Sequence, residues 1–310
     1  GPMILGFLLL LASMFMADFA GASRHSRELL VTILTHTLLA SLVVTSLFSM
    51  ITTRFCADMI YEKKYSLLFP SFFGSIWMML IIGGAGYGIF LHFSGVKLLY
   101  RVISWVFFMV LIVVWTQINY LTMLKDFKSI GLAFSVAVAA ALTLGAVLIW
   151  VFRIEAVAAM LSSVTAGYMI MMLWYFGIIY KSFPEGFGSS VRFLEWFDRI
   201  PQLGFAGFFV TAGLFGHLLI MWWFSSLSVQ VEGLFYGAPT YDVPAIFAFF
   251  SILISTVNFT TSVETRFYPR YKEYFSLFND GGSIENIDEA EQNMLHVLSE
   301  ELGYLSLKQL

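Results

Sequence analysis

Residues 102–123 read VISWVFFMVLIVVWTQINYLTM and contain no Asp, Glu, Lys or Arg. The hydrocarbon core of a bilayer is about 30 Å thick, and a helix rises 1.5 Å per residue, so roughly 20 apolar residues cross it. This stretch is long enough to do so. It predicts a transmembrane helix.

Seven further runs of similar character predict a helix bundle in the membrane. The chain of 310 residues is 59% hydrophobic and only 12% charged, against about 25% charged in soluble domains. The sequence therefore predicts an all-α polytopic bundle of about eight spans with a helical tail. The other predicted spans are Met3–Ala22, Leu29–Thr53, Phe73–Phe93, Ile130–Val151, Ala156–Tyr180, Leu203–Leu227 and Val243–Thr260.

Charge divides the chain near Glu264. Of the 37 Asp, Glu, Lys and Arg residues, 13 fall from Glu264 onward, and nine of these are acidic. This segment is typical of a protein surface in water. The formal net charge of -3 excludes a nucleic-acid binder that acts through bulk charge. The single cysteine, Cys56, excludes an internal disulfide and a metal site built from cysteines.

The basic residues of the connections predict the orientation of the spans. Twelve Lys and Arg residues lie on one side and five on the other, so we place the start of the first span and residues 264–310 in the cytoplasm. Residues 1–180 then hold six spans, 181–202 form an amphipathic cytoplasmic linker, 203–263 hold two further spans, and 264–310 form a cytoplasmic helical segment. In the linker, Val191–Phe197 is predicted to be a short helix on the membrane surface, with its aromatic side chains toward the lipid.

The tail is predicted to contain a helix with one apolar face. Gly281 and Gly282 mark a turn, after which Ser283 or Asn286 is suited to cap a helix. Apolar residues then recur at spacings of three and four, and we expect their stripe to dock on the membrane domain or on a partner subunit. The stripe includes Ile287, Met294, Leu298 and Leu302.

Sequence motifs of enzymes are missing from the chain. It has no G-x-x-x-x-G-K-[ST] loop for nucleotide phosphates, no H-E-x-x-H zinc motif and no G-x-S-x-G nucleophile elbow. It also lacks a D-x-D pair for a metal-bound nucleotide sugar. We therefore predict no catalytic residues, no metal and no cofactor. A membrane glycosyltransferase or acyltransferase is the weaker alternative.

Few polar side chains lie at membrane depth, and these are the candidate substrate-path residues. They are Asp18, His36, Gln117, Asn119 and His217. The alternative role for each is a hydrogen bond between helices that holds the bundle together. Gln117 and Asn119 are two positions apart, so they are predicted to point to different sides of one helix. Trp222 and Trp223 suit an aromatic belt at the membrane interface.

Two segments resemble one family of bacterial membrane proteins. The first is Thr53–Asp58 (TRFCAD) with Phe69–Gly74 (FPSFFG), and the second runs from Tyr241 through Ser262–Lys272 (SVETRFYPRYK) to Ile284. They resemble the PelG family, the inner-membrane transporters of the Pel exopolysaccharide system. That family is similar to the flippases of the MOP superfamily, which have two helical lobes around a central cavity. The resemblance implies that this chain holds a six-helix lobe and part of a second.

The resemblance implies a transporter that moves an amino-sugar polymer across the bacterial cytoplasmic membrane. The implied partners are the lipid bilayer, the polysaccharide, a cytoplasmic glycosyltransferase and other Pel membrane subunits, one of them sensing cyclic-di-GMP. We expect Asp18 and His217 to line the cavity between lobes. The alternative function is a scaffold that anchors a cytoplasmic synthase and moves nothing. The residues that match the cytoplasmic family motif are Glu264, Arg266, Tyr268, Pro269, Arg270 and Tyr271.

The predicted orientation can be tested by labelling single cysteines in intact cells. A cysteine at Lys63 or Glu291 should be shielded from an impermeant thiol reagent, because both positions are predicted to be cytoplasmic. A cysteine at Glu232 should react. Labelling at Lys63 with protection at Glu232 would show that the orientation of the spans is the reverse of the predicted one.

Overall fold

The computed structural model describes residues 2–123, 127–183 and 186–309, with the side chains of 2–5, 123, 127, 253–256, 280 and 305–309 left out. Helices dominate. In chain order the elements are α1 (Pro2–Phe19), α2 (Arg24–Tyr61), a 3-10 turn (Tyr65–Leu67), α3 (Leu68–Phe93), α4 (Leu98–Met123), α5 (Phe127–Ala146), a π-turn (Val147–Val151), α6 (Ala156–Ser182), α7 (Leu194–Arg199), α8 (Pro201–Phe224), β1 (Val229–Glu232), β2 (Phe235–Gly237), α9 (Pro239–Ser262), a second π-turn (Val263–Phe267), α10 (Tyr268–Asp280) and α11 (Ile284–Gln309).

Seven stretches among the described residues are long and apolar enough to cross a membrane, which confirms the all-α polytopic class. They correspond to α2, α3, α4, α5 with its π-turn, α6, α8, and α9 extended through α10. The first predicted span, Met3–Ala22, corresponds to α1 (Pro2–Phe19), of which Gly6–Phe19 is the apolar part with described side chains. This helix ends because Gly21, at φ 75°, takes a left-handed conformation, and the amides of Gly21 and Ala22 close the last turn on Asp18 and Ala17.

Helix α2 is the centre of the first part of the fold. It is 38 residues long and contacts α1, α3, α4, α6, α7, α8 and both strands. Ser23 caps its start by accepting a hydrogen bond from the Ser26 amide, 3.1 Å away. At its other end, Arg54 pairs with Asp58 one turn later at 3.2 Å. Polar residues therefore continue α2 well beyond the predicted span Leu29–Thr53.

One end of this bundle, which we call the hairpin end, gathers four connections. The β-hairpin between α8 and α9 meets the α3–α4 connection, where the Leu234 amide donates to the Ser94 carbonyl at 2.9 Å. Gly233 lies so close that a Cβ there would be 1.7 Å from the Ser94 oxygen, at a φ of 57°, so only glycine fits.

Ion pairs join the remaining connections of the hairpin end. Lys97, after α3, donates to Glu155, before α6, at 3.2 Å, and this hydrogen bond raises the pKa of Lys97. His25, at the start of α2, lies 3.4 Å from Glu232 of the hairpin. The connections α1–α2, α3–α4, α5–α6 and α8–α9 thus lie at the same end of the bundle, as alternating spans require.

The opposite end, which we call the linker end, holds the segment between α6 and α8. The Trp196 indole of α7 donates to Asp58 of α2 at 2.7 Å, and its ring meets Phe55 edge-on at 5.0 Å. Phe193 is fully buried and Trp196 is 8% exposed. The prediction that the aromatic side chains of this linker face lipid is therefore wrong, because Asp58 offers the indole an acceptor and the α2 surface offers its ring an apolar contact.

The chain divides into two compact units, residues 1–238 and 239–310. Helix α8 belongs to the first unit, where it packs on α2. The predicted grouping of α8 and α9 within 203–263, as the start of a second lobe, stays a prediction.

The second unit contains α9, its π-turn, α10 and α11. The first three form one continuous helix from Pro239 to Asp280, which ends at Gly281 with a φ of 80°. Ser283 accepts from the Asn286 amide at 3.3 Å, which confirms the predicted cap of α11. Helix α11 then lies against α10, the π-turn and α9. Along its apolar stripe Ala290 is buried. Ile287, Met294 and Leu298 are half-buried and Leu302 is 50% exposed, so the stripe packs in part within its own unit, and its docking on the membrane domain or a partner stays a prediction.

Two glycines bring α8 close to α2. A Cβ at Gly204 would lie 3.1 Å from the Leu47 carbonyl oxygen, and one at Gly207 would lie 2.6 Å from the Ser46 carbonyl oxygen. Both neighbours are backbone atoms, which cannot rotate away. Small residues of this kind allow helices in a membrane to approach closely.

We therefore expect Gly207→Ala to destabilise the first unit by about 1–3 kcal/mol, because overpacking forces α8 away from α2. Gly213→Ala is the matched control in the same helix, since a Cβ there meets nothing within 4 Å. Thermal unfolding of the purified protein in detergent measures both. Equal midpoints for the two variants would show that the α2–α8 contact is not tight.

Candidate functional site

His36 lies on α2 and is 5% exposed. Its Nδ1 lies 2.8 Å from the Thr32 carbonyl oxygen, and because a carbonyl only accepts, Nδ1 must carry the proton. The other ring nitrogen, Nε2, is then a hydrogen-bond acceptor in the neutral ring. It is buried and has no partner within the described residues. Buried polar atoms are almost always paired, so this acceptor marks the position as a candidate site.

Three aromatic rings surround His36. Trp222 of α8 stacks on it with ring centres 4.4 Å apart, Phe235 of β2 meets it edge-on at 5.2 Å, and Trp223 lies at 6.0 Å. Trp222 is only 5% exposed. The prediction that it belongs to an interfacial belt is therefore wrong: the hairpin folds over α8 at this end and encloses the indole, whereas Trp223 is 41% exposed.

A cavity of about 320 Å³ adjoins His36, between α2, α3, α4 and α8. Its walls are mostly aliphatic and aromatic, and include Val44, Gly86, Phe90 and Trp223. Tyr87 also lines the cavity, and its hydroxyl is hydrogen-bonded to the Thr37 hydroxyl at 2.7 Å. A cavity of this kind suits an apolar chain or the apolar face of a ring, and not an ion.

Gln117 and Asn119 of α4 reach different neighbours, as their spacing predicted. The Gln117 amide donates to the Met172 carbonyl of α6 at 3.0 Å, and the Asn119 amide donates to the Ser49 hydroxyl of α2 at 2.9 Å. Both bonds join helices, so both side chains hold α4 between α2 and α6. Neither residue lines the His36 cavity.

Asp18 and His217 also lie away from this cavity. Asp18 is at the hairpin end, where it forms an ion pair with Arg27 and its side chain is 56% exposed. His217 is half-buried on α8, on the same helix as the cavity residues Leu219 and Trp223. Of the predicted path residues, His36 is the one that the structure places at the cavity.

The family-motif residues lie in the second unit. Glu264 and Arg266 are in the π-turn, and Tyr268, Pro269, Arg270 and Tyr271 form the start of α10. Arg266 pairs with Glu301 of α11 at 2.9 Å. In the first turns of α10, Arg270 pairs with Glu273 at 3.1 Å. The motif therefore connects the π-turn to α11 and begins an exposed helix.

An exposed aromatic row follows along α10. The rings of Tyr268 and Tyr271 stack at 6.5 Å, and those of Tyr271 and Phe275 lie 4.5 Å apart. Tyr268 is 51% exposed and Phe278, further along, is 64% exposed. No group of three or more His, Cys, Asp or Glu residues that could hold a metal occurs among the described residues.

The sequence did not predict that Trp222 and Phe235 pack against His36 or that Tyr87 lines the same cavity. These three residues lie in different helices or strands. They are as apolar as most of the chain, so hydropathy does not distinguish them. The consecutive tryptophans Trp222 and Trp223 were the one feature of the sequence that pointed to an aromatic cluster. The π-turn at 263–267 was also missed, although it falls within the motif that carries the resemblance.

Comparison with known proteins gives the family. A model of the PelG family, whose description is exopolysaccharide exporter (EPS-E), matches residues 1–310. The chain belongs to the PelG family. Neither the curated proteins nor the solved structures contain a match. The PelG match and the helices that can span a membrane together indicate a multi-pass membrane protein with a role in polysaccharide export.

The His36 cavity of this PelG family member can be filled from Gly86, where an added Cβ meets nothing within 4 Å. We expect Gly86→Leu to preserve folding, because there is space for the side chain, and to reduce export if the cavity is used during transport. Secreted polymer and membrane abundance are measured together. Gly177→Leu is the matched control, since that glycine of α6 also faces open space and lies outside the cavity. Normal export by Gly86→Leu would show that the cavity is not used during transport.

Proposed function

We propose that the protein moves an amino-sugar polymer across the bacterial cytoplasmic membrane as part of the Pel exopolysaccharide system. The observation that carries this proposal is the PelG family match over the whole chain. The helices that can cross a membrane provide the setting. Membership of an exporter family supports transport as the activity of the chain, in preference to catalysis.

The composition of the spans fits a cargo that bears free amines. No Lys or Arg lies in the middle of a predicted span, so a path between them avoids fixed positive charge. Hydrogen-bond acceptors are present instead: Asp18, Asn119 and the Nε2 atom of His36 are examples. An ammonium group on a sugar would be attracted by such acceptors, and at Asp18 it would take the place of Arg27.

We further propose that Asp18 and His217 contribute to the path between two lobes. Asp18 is suited to this role at the hairpin end, because its carboxylate is more than half exposed and can accept from a passing amine. Its ion pair with Arg27 is accessible to solvent, and such pairs contribute about 0–1 kcal/mol. The pair can therefore exchange partners at little cost.

The alternative function is a scaffold that anchors a cytoplasmic glycosyltransferase. The exposed aromatic row on α10 is the observation that favours it, since aromatic residues are enriched in protein interfaces. The glycosyltransferase and the other Pel subunits, including one that senses cyclic-di-GMP, are proposed partners in either case. Polymer flux through the reconstituted protein separates the two functions: a transporter moves polymer and a scaffold does not.

Asp18→Asn and His217→Leu should each reduce polymer secretion while leaving membrane abundance unchanged, because they remove a carboxylate acceptor and a hydrogen-bonding imidazole from the proposed path. Polymer in the medium and protein in the membrane are quantified in cells that secrete the polysaccharide.

The matched controls are Asp288→Asn and His296→Leu, which change exposed residues of α11. We expect both controls to secrete normally. Full secretion by Asp18→Asn and His217→Leu would assign these two residues to packing.

A further inference from the structure

A polar pocket of about 420 Å³ lies within the second unit, between α9, the π-turn and α11. Its volume falls in the range of small-molecule sites, about 300–1,000 Å³. Polar or charged side chains make up most of its lining, whereas the His36 cavity is mostly apolar; they include Asn258, Thr261, Thr265, Arg266 and Glu301. The two cavities therefore suit ligands of different chemistry.

The hydroxyls in this pocket are positioned as acceptors. Thr261 donates its hydrogen to the Val257 carbonyl at 2.8 Å, and Thr265 donates to the Thr261 carbonyl at 2.7 Å. Their oxygens keep lone pairs for a ligand. Ser262 also lines the pocket, and its Oγ is buried with no partner in the described part of the chain. Asn258 adds an amide that both donates and accepts.

The charged groups of the pocket neutralise each other. Arg266 and Glu301 form a pair at 2.9 Å, with the Glu301 side chain 11% exposed and that of Arg266 62% exposed. A neutral pair does not attract a phosphate, as an unpaired arginine would. It still offers free guanidinium hydrogens beside the hydroxyl oxygens, so the pocket presents donors and acceptors side by side.

Two aromatic rings complete the lining. Phe259 on α9 is 36% exposed and Tyr304 on α11 is 53% exposed, and both border the pocket. Rings of this kind supply an apolar surface at little cost in side-chain entropy. A ligand with hydroxyl groups around its edge and C–H groups on its face matches both features. A sugar ring has that chemistry, whereas an acyl chain or a nucleotide does not.

We propose that this pocket binds a sugar unit of the polymer, as a carbohydrate subsite organised by the π-turn. The proposal rests on the proposed function, which supplies the polysaccharide, and adds the position at which the chain holds it. The π-turn is the structural basis, because such turns interrupt a regular helix and recur at functional sites. Here the turn is followed directly by the exposed start of α10.

Binding is tested on the full chain in detergent by isothermal titration calorimetry. The probe is a partly N-acetylated pentamer of β-linked glucosamine. Asn258→Leu and Thr265→Val should each weaken binding about fivefold, because each removes hydrogen bonds at nearly constant volume. Asn293→Leu and Thr143→Val are the matched controls on exposed positions; both should stay within about twofold of the unaltered chain. If either pocket variant fails size-exclusion chromatography, Tyr304→Leu replaces it, with the same expected loss.

Three results would overturn the subsite: no binding of the pentamer by the unaltered chain, equal losses in pocket and control variants, or displacement of the pentamer by inorganic phosphate. The calorimetric result does not depend on export. A chain that moves polymer but does not bind the pentamer contradicts the subsite alone. A chain that binds the pentamer but moves no polymer contradicts the proposed transport alone.

Discussion

Within hydrocarbon, every polar hydrogen must find its acceptor inside the protein, and this constraint determines how α2 is built. Thr32, Thr37 and Thr52 donate their hydroxyl hydrogens to carbonyls one turn earlier, at 2.7–2.8 Å. Because these hydroxyls are satisfied within α2, they need no water or partner helix at those positions. Helices can then surround it on several sides, and it becomes the element on which the first unit is assembled.

Against this background the few unsatisfied acceptors are informative. Four buried side-chain atoms have no partner among the described residues: His36 Nε2, Ser104 Oγ, Gln117 Oε1 and Ser262 Oγ. Of these four residues, His36 and Ser262 each line a cavity. The first cavity is apolar and lies within the membrane-spanning helices. The second is polar and lies beside the family motif. The two cavities therefore offer surfaces of different chemistry, and the carbohydrate subsite proposed above concerns the second.

The sequence predicted the helices well because length and hydropathy report the solvent around a segment, and the solvent here is lipid. It did not predict which helix packs on which, because lipid-facing and protein-facing positions are equally apolar. Trp222 and Trp196 show this directly: both were assigned to the membrane interface, and both are buried in protein through contacts with His36 and Asp58. The packing of α11 within its own unit and the π-turn before α10 were also not predictable, since neither leaves a mark in hydropathy. His36 could be selected as a candidate because a lone imidazole in an apolar run is visible in the sequence, whereas the residues that pack around it are not.

The π-turn at Val263–Phe267 sets the rotational register between α9 and α10 in the long helix of the second unit. Each residue of an α-helix advances the side-chain direction by about 100°, so a turn that accommodates an additional residue resets which faces of α9 and α10 align. The ion pair between Arg266 and Glu301 sits at this joint and links its angle to α11. Replacing the turn by a regular α-helix would change the direction in which the side chains of α10 point relative to those of α9, and with it the surface that α10 offers to α11.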